Sequence, residues 1–354
     1  MPELALSVLD LVPVRTGQTS ADAVAASISL AERADELGLR RFWLAEHHNM
    51  PSVASTNPPV LLGVLAGRTR RIRLGSGGVM LPNHAPFVVA EQFAALEAAA
   101  PGRIDLGIGR APGSDPVITA LLRSSGHTSD VDAFPNHIRD IEALLAPEGA
   151  GLRLATGEEY TVRATPAAAG APELWLLGSS DYSAELAGRL GLPYVFAHHF
   201  SGEGTEHALE LYRSRFEASE HLGAPRTFLT ANVVVAETAA EATRLALPQL
   251  HHMARLRTGT PLTALDTVEG AEAARITPAQ QQLVEAMSDR WFIGEAGDVA
   301  ERLVAFAQRF QVDEVMVSPG AAAFAADPID RVPARERALE LLAAHLPQGA
   351  LAAV

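Results

Sequence analysis

The chain has 354 residues, 48% of them hydrophobic and 20% charged, so it can bury a sizeable core and global disorder is not expected. Its formal net charge is −14, and all 28 residues counted as Lys plus Arg are arginine. That balance argues against a basic nucleic-acid surface, and the absence of lysine removes Schiff-base chemistry and any lysine-based phosphate loop. Cysteine is absent too, which excludes disulfides, thiolate nucleophiles and cysteine-ligated metals. Met1-Pro2-Glu3 lacks a cationic start and Asp10 interrupts the first apolar run. No secretory signal or membrane span is therefore expected, and the expected location is the cytoplasm.

Short apolar runs alternate with longer amphipathic ones along the chain. Strands are predicted at residues 4–11, 41–46, 72–80, 103–108, 173–177, 194–197, 228–236 and 312–318. Helices are predicted between them at 20–37, 59–69, 86–99, 135–145, 183–190, 203–222, 239–257 and 298–310, with a last helix at 333–345. Ser20 with Asp22, and Pro59 and Pro86 near first helical positions, read as helix starts. Gly38, Gly191 and Gly223 stand where helix C-caps belong. Eight strands alternating with eight helices predict an α/β fold of the (β/α)8 TIM-barrel type, a single domain over 1–354, rather than a doubly wound sheet with a second domain. Two stretches break the rhythm. Residues 149–163 alternate enough to predict a hairpin inserted before the fifth strand, and residues 258–287 after the seventh helix predict a mobile lid or an extra helix.

The residues most suited to chemistry sit at strand ends. Trp43-Leu44-Ala45-Glu46-His47-His48 is an apolar run ending in a carboxylate and two imidazoles, at the end where a parallel barrel presents its active site. Adjacent histidines in a solvated loop are the alternative. Arg103-Ile104-Asp105-Leu106-Gly107-Ile108-Gly109-Arg110 is followed by Pro112, Gly113 and Pro116, which interrupt any dinucleotide-binding turn. Gly107 and Gly109 there allow a ligand to approach the backbone, while Arg110 offers its fork to a phosphate or pairs with a surface carboxylate. Gly178-Ser179-Ser180-Asp181-Tyr182-Ser183, where the fifth strand meets a helix, is an anion site or a plain serine cap. Gly75-Ser76-Gly77-Gly78 inside the third strand predicts a bulge or a closely packed ring. His198-His199 ends the sixth strand. Adjacent histidines point to opposite faces, so no metal site is expected. His251-His252, mid-helix, reads as a solvated or partly packed pair.

Together these residues resemble the bacterial luciferase-like flavin-dependent monooxygenases. The strand-two Trp43–His48 run, the Gly75–Pro82 bulge, the Arg103–Arg110 segment, the Leu176–Ser183 turn followed by Gly191-Leu192-Pro193, and Trp291-Phe292-Ile293-Gly294 with Val312–Val317 follow that family's order over nearly the whole chain. The resemblance implies that reduced FMN binds at the C-terminal face of the barrel. Dioxygen would there give a flavin C4a-hydroperoxide that oxygenates a small organic substrate such as an aldehyde or ketone. It further implies catalytic roles for His47 and Glu46. Gly77 and Gly78 would lie under the isoalloxazine, at a frequent non-proline cis peptide, and Arg110, Gly178, Ser179, Ser180 and Ser183 would hold the phosphate. A separate NAD(P)H:flavin reductase and a homodimer formed through the helices at 59–69 and 86–99 are the implied partners. The chain departs from the light-emitting subunit in carrying Gly109 where that subunit has a reactive cysteine, so light emission is not implied. Glu46-His47-His48 also differs from the Asp-His usual in the deazaflavin-dependent branch. A deazaflavin hydride-transfer enzyme and a flavin-binding protein without turnover are the alternatives.

Overall fold

The computed structural model describes residues 4–111, 116–122, 131–220 and 222–346. Its strands are β1 (Ala5–Asp10), β2 (Arg41–Leu44), β3 (Arg73–Ser76), β4 (Val79–Met80), β5 (Ile104–Gly109), β6 (Ala150–Arg153), β7 (Glu159–Val162), β8 (Glu173–Gly178), β9 (Tyr194–Phe196), β10 (Thr227–Ala236), β11 (Phe292–Glu295) and β12 (Glu314–Pro319). Parallel pairing runs β1–β2–β3–β5–β8–β9–β10–β12 and returns to β1, closing a barrel of eight strands. The predicted α/β TIM-barrel class is therefore the observed one. Between the strands lie α1 (Ser20–Glu36), α2 (Pro58–Ala66), α3 (Pro86–Ala99), α4 (Pro116–Leu122), α5 (Phe134–Leu145), α6 (Asp181–Leu190), α7 (Thr205–Arg215), α8 (Ala239–Arg257), α9 (Val268–Ala273), α10 (Pro278–Ser288), α11 (Ala296–Phe310) and α12 (Pro333–His345).

Alternation along each strand sorts side chains between two compartments. On β1 and β2, Leu6, Val8, Phe42 and Leu44 face outward and join the large core between sheet and helices. Leu9, Trp43, Trp175, Val195, Phe228 and Met316 form a separate cluster inside the ring. Three of these rings pack edge-on or tilted, with centroids 5.8 Å (Trp43–Trp175), 5.3 Å (Trp43–Phe228) and 4.9 Å (Trp175–Phe228) apart. Beneath them the first residues of several strands carry charge. Arg41 donates to Asp105 (2.8 Å), Glu314 (3.0 Å) and Glu173 (3.2 Å), while Arg73 donates to Asp105 through both Nε and Nη2. Trp43 Nε1 reaches the same Asp105 at 2.9 Å, and Trp175 Nε1 reaches Glu173 at 2.9 Å. This network fills the N-terminal end of the barrel.

Several expectations need correcting. The predicted strand 72–80 is two pieces, because the chain breaks pairing at Gly77–Gly78, whose peptide is cis. Phe292–Glu295 is a strand outside the ring, parallel to the C-terminal half of β10. The segment 258–287 holds two helices: Thr267 caps α9, and a Thr277–Gln280 capping box with Pro278 starts α10. The hairpin at 149–163 is present as antiparallel β6–β7. Gly38 and Gly191 follow α1 and α6 with φ of 75° and 62°, but Gly223 caps nothing because α7 stops at Arg215. No helix among the described residues is long and apolar enough to cross a membrane.

Candidate active site

The C-terminal ends of the strands enclose a cavity of about 380 Å³, inside the range of about 300–1,000 Å³ usual for small-molecule sites. The same alternation that sends Arg41 to the bottom of the barrel brings Trp43, Ala45 and His47 to the cavity wall. Glu46 and His48, at the intervening positions, face elsewhere. His47 donates its backbone N–H to Ser55 O at 3.0 Å, and its ring Nδ1 is buried with no hydrogen-bond partner. Burial holds its pKa below the usual histidine value, so at neutral pH the ring is uncharged. His199 also lines the cavity. Its Nδ1 pairs with Thr230 Oγ1 at 2.6 Å, and burial pushes its pKa down to about 3.

Glu46 does not line the cavity, so the structure gives it no direct contact with a reacting group there. It is buried and ties the end of β2 to β4. His48 Nε2 (2.8 Å) and His84 Nε2 (2.7 Å) donate to one carboxylate oxygen, and the Met80 N–H (3.0 Å) donates to the other. Burial alone would raise its pKa, but those donors outweigh it and bring the carboxyl down to about 2. Through these bonds Glu46 joins the strand end that carries His47 to Met80 and His84.

Across the rim, β5 and β8 pair with Gly109 opposite Leu177, which sets Arg110 beside the turn into α6. The Arg110 guanidinium lies over the Tyr182 ring, 3.9 Å from its centroid. Ser180 is the N-cap of α6 but makes no side-chain cap bond, leaving its hydroxyl and the first-turn N–H groups to other partners. Gly178, Ser179, Ser180, Ser183 and Arg110 all line the cavity. A Cβ at Gly178 would collide with the Ser183 side chain, so only glycine admits this close approach. Gly77 and Gly78 line it as well, and a Cβ on Gly78 would meet Gly107 O at 2.8 Å. Pro112 and Gly113, singled out in the sequence, lie outside the described residues.

The paired histidines separate as strand geometry requires. His198 turns away, with Nδ1 2.8 Å from Thr205 Oγ1 and its ring against Phe306. No group of three or more His, Asp or Glu among the described residues could hold a metal ion. The His251-His252 expectation is overturned: both are buried, and His252 lines the cavity with Nε2 3.0 Å from Ser52 Oγ. The signal for this was present, since Gln249, His252, Met253 and Leu256 recur at helical spacing on one face of α8. Ser52 had no such signal.

The arrangement fits a flat, anionic cofactor: a bare glycine segment on one side, an arginine with an uncapped serine-rich helix start at one end, and an unpartnered imidazole at the other. The sequence matches the luciferase-like monooxygenase family over residues 5–314. It is 38% identical over 316 residues to the luciferase-like monooxygenase of Escherichia coli (strain K12), covering 89% of this chain and 91% of that one. It is 34% identical over 313 residues to the N-acetyl-S-alkylcysteine monooxygenase of Bacillus subtilis (strain 168), covering 88% and 91%. The crystal structure of apo-MsnO8 has a TM-score of 0.84 to it at 34% identity, covering 98% of this chain and 99% of that one. The chain belongs to the luciferase-like monooxygenase family.

Proposed function

We propose that the protein is a flavin-dependent monooxygenase, one catalytic unit that binds reduced FMN in this cavity and uses dioxygen to oxygenate a small organic substrate. The observation that carries this reading is the continuity of the cavity. It joins Arg110 and the α6 start to the unpartnered His47, and Gly77–Gly78 stands between β2 and β5 in the ring. When bound, reduced FMN supplies the electrons that activate dioxygen. The chain's own residues do the rest. Arg110, Ser179, Ser180 and Ser183 hold the phosphate with the free first-turn N–H groups. Gly77 and Gly78 let the ring system lie against the backbone. His47, neutral and lining the cavity, accepts or returns a proton through its ring, and Glu46 holds its strand end in place. Leu9, Trp43 and Met316 line the same space and exclude water from it.

The substrate in this reading is an aldehyde or ketone, as the family resemblance implies. Reduced flavin comes from a separate NAD(P)H:flavin reductase. Two copies associate through α2 and α3, where Val60, Val64, Phe87 and Val88 are exposed. The test is anaerobic titration with reduced FMN and, separately, with the reduced deazaflavin coenzyme, followed by rapid mixing with oxygenated buffer. Saturable FMN binding and a transient absorbance longer-lived than that of free reduced FMN are expected. Binding of the deazaflavin alone would replace the reading with hydride transfer, and FMN binding without any reaction with dioxygen would leave a flavin carrier.

A further inference from the structure

The part of the cavity away from Arg110 is built from three separate loops and one helix, joined by main-chain hydrogen bonds. The Val14 N–H donates to Ser52 O (2.8 Å), Ala54 N–H to Val12 O (2.9 Å), Leu265 N–H to Val14 O (2.8 Å) and Thr16 N–H to Leu265 O (2.7 Å). Pro13 bridges to Val53 and Arg15 to Leu265 in β fashion. This layer and α8 present Leu11, Pro13, Met50, Val53, Met253 and Leu256 to the cavity, a largely apolar wall held in place before any ligand arrives. Set into it are Ser52 and His252, both buried and hydrogen-bonded to each other at 3.0 Å. A serine hydroxyl keeps hydrogen-bonding capacity after one such bond, as donor or acceptor according to the imidazole tautomer. Burial, aided by the charge of Arg255, pushes His252 down to about 4, while Asp266, paired with Arg255 at 3.1 Å, works the other way. Among the described residues lining the cavity, Arg110 is the one that carries a full charge, and it stands at the opposite end.

Resting on the flavin reading above, we propose that Ser52 and His252 are the specificity-determining pair of this wall. They bind one oxygen of an uncharged, otherwise apolar substrate, in a pocket half that offers no counter-charge to a carboxylate or an ammonium group. An ion entering that half would shed water without a partner, whereas a carbonyl or hydroxyl oxygen finds one.

The test uses three probes of equal chain length, 2-octanone, octanoate and octylammonium, titrated calorimetrically at pH 7.5 into the protein with and without saturating FMN. FMN binding is measured separately by flavin fluorescence. 2-Octanone is expected to bind about tenfold or more tightly than either ion. Ser52→Ala and His252→Phe are expected to weaken 2-octanone about 3- to 10-fold while leaving the FMN dissociation constant within about twofold, and His252→Gln to recover part of the loss. Octanoate binding as tightly as 2-octanone, or unchanged 2-octanone binding in Ser52→Ala, would overturn the proposal. Ser52→Ala removes a single oxygen and decides the matter if His252→Phe does not fold. Loss of FMN binding in the unmodified protein would instead sink the flavin reading, because the probe series is read without FMN as well.

Discussion

At the N-terminal end of the barrel Arg41, Arg73, Asp105, Glu173 and Glu314 satisfy one another, whereas at the C-terminal end His47 Nδ1 is buried with nothing to bond. One strand supplies both extremes, since Arg41 and His47 lie six positions apart on the same face of the β2 run. Burial works against the charge on Arg41, yet Asp105, Glu314 and Glu173 together raise its pKa. Burial likewise works against the Glu173 carboxylate, but Arg41, Arg226 and Arg73 bring it down to about 2. A polar group sealed in a barrel is stabilising only when its partners come with it. His47 Nδ1 lacks one, and the same side chain lines the cavity.

The comparison breaks most visibly at Arg41. Arg41→Ala should destabilise the protein by about 2–4 kcal/mol, because it removes the cation shared by Asp105, Glu314 and Glu173 and leaves Asp105 to Arg73 and Glu314 to Arg40. Urea unfolding measures this, and a loss below about 1 kcal/mol would mean that the bottom network is as dispensable as a surface pair. His47→Ala should do the reverse. It removes a group that has no partner, so the urea midpoint should hardly move, while turnover should drop about 100-fold or more at unchanged FMN affinity. Unchanged turnover would remove His47 from the proposed chemistry. Next in size, Arg110→Ala should weaken FMN about tenfold to a hundredfold, the range for losing a charge-assisted bond. Riboflavin, which lacks the phosphate, should bind the variant and the parent equally.

The smallest effect per residue is the pH dependence. His199 (about 3), His198 (about 4) and His252 (about 4) all lie below the ordinary 6.5, so the folded state binds fewer protons than the unfolded chain. Their neutral forms therefore favour the fold fully above about pH 6.5, and that stability is lost as the pH falls toward 3–4. Each should contribute about 1–2 kcal/mol of loss by pH 5, seen as a falling Tm. His198 faces away from the cavity, so His198→Gln should reduce this acid sensitivity without affecting FMN binding. A Tm that stays flat from pH 8 to 5 would contradict the buried neutral imidazoles.

The barrel was legible because its eight strands are apolar runs with glycine, proline or polar boundaries, and the period-two face of each run follows directly. The hairpin β6–β7 was legible for the same reason. The two helices in 258–287 were not, although Thr277-Pro278-Ala279-Gln280 carries a complete start signal, because six- and eleven-residue helices produce little periodicity. At the site, His47, Arg110 and residues 178–183 could be found because strand ends and helix starts announce themselves. The hub role of Glu46 could not, since its partner His84 lies 38 positions away and only the closed ring brings them together. Ser52 and His252 are 200 positions apart, and their pairing is a property of tertiary packing alone.

Trp43 belongs to both ends of the barrel. Its ring lines the cavity, while its indole N–H donates to Asp105 at 2.9 Å in the charged network below. Deepening the pocket by trimming this side chain would take a donor from a buried carboxylate and loosen its packing against Trp175 and Phe228. The loop-built wall has no such constraint, because its strands of contact are main chain to main chain, and the side chains at positions 11, 13, 50, 53 and 265 can be exchanged without losing them. A lineage descending from this barrel could therefore change what it accepts through its walls many times over, while its floor stays as it is.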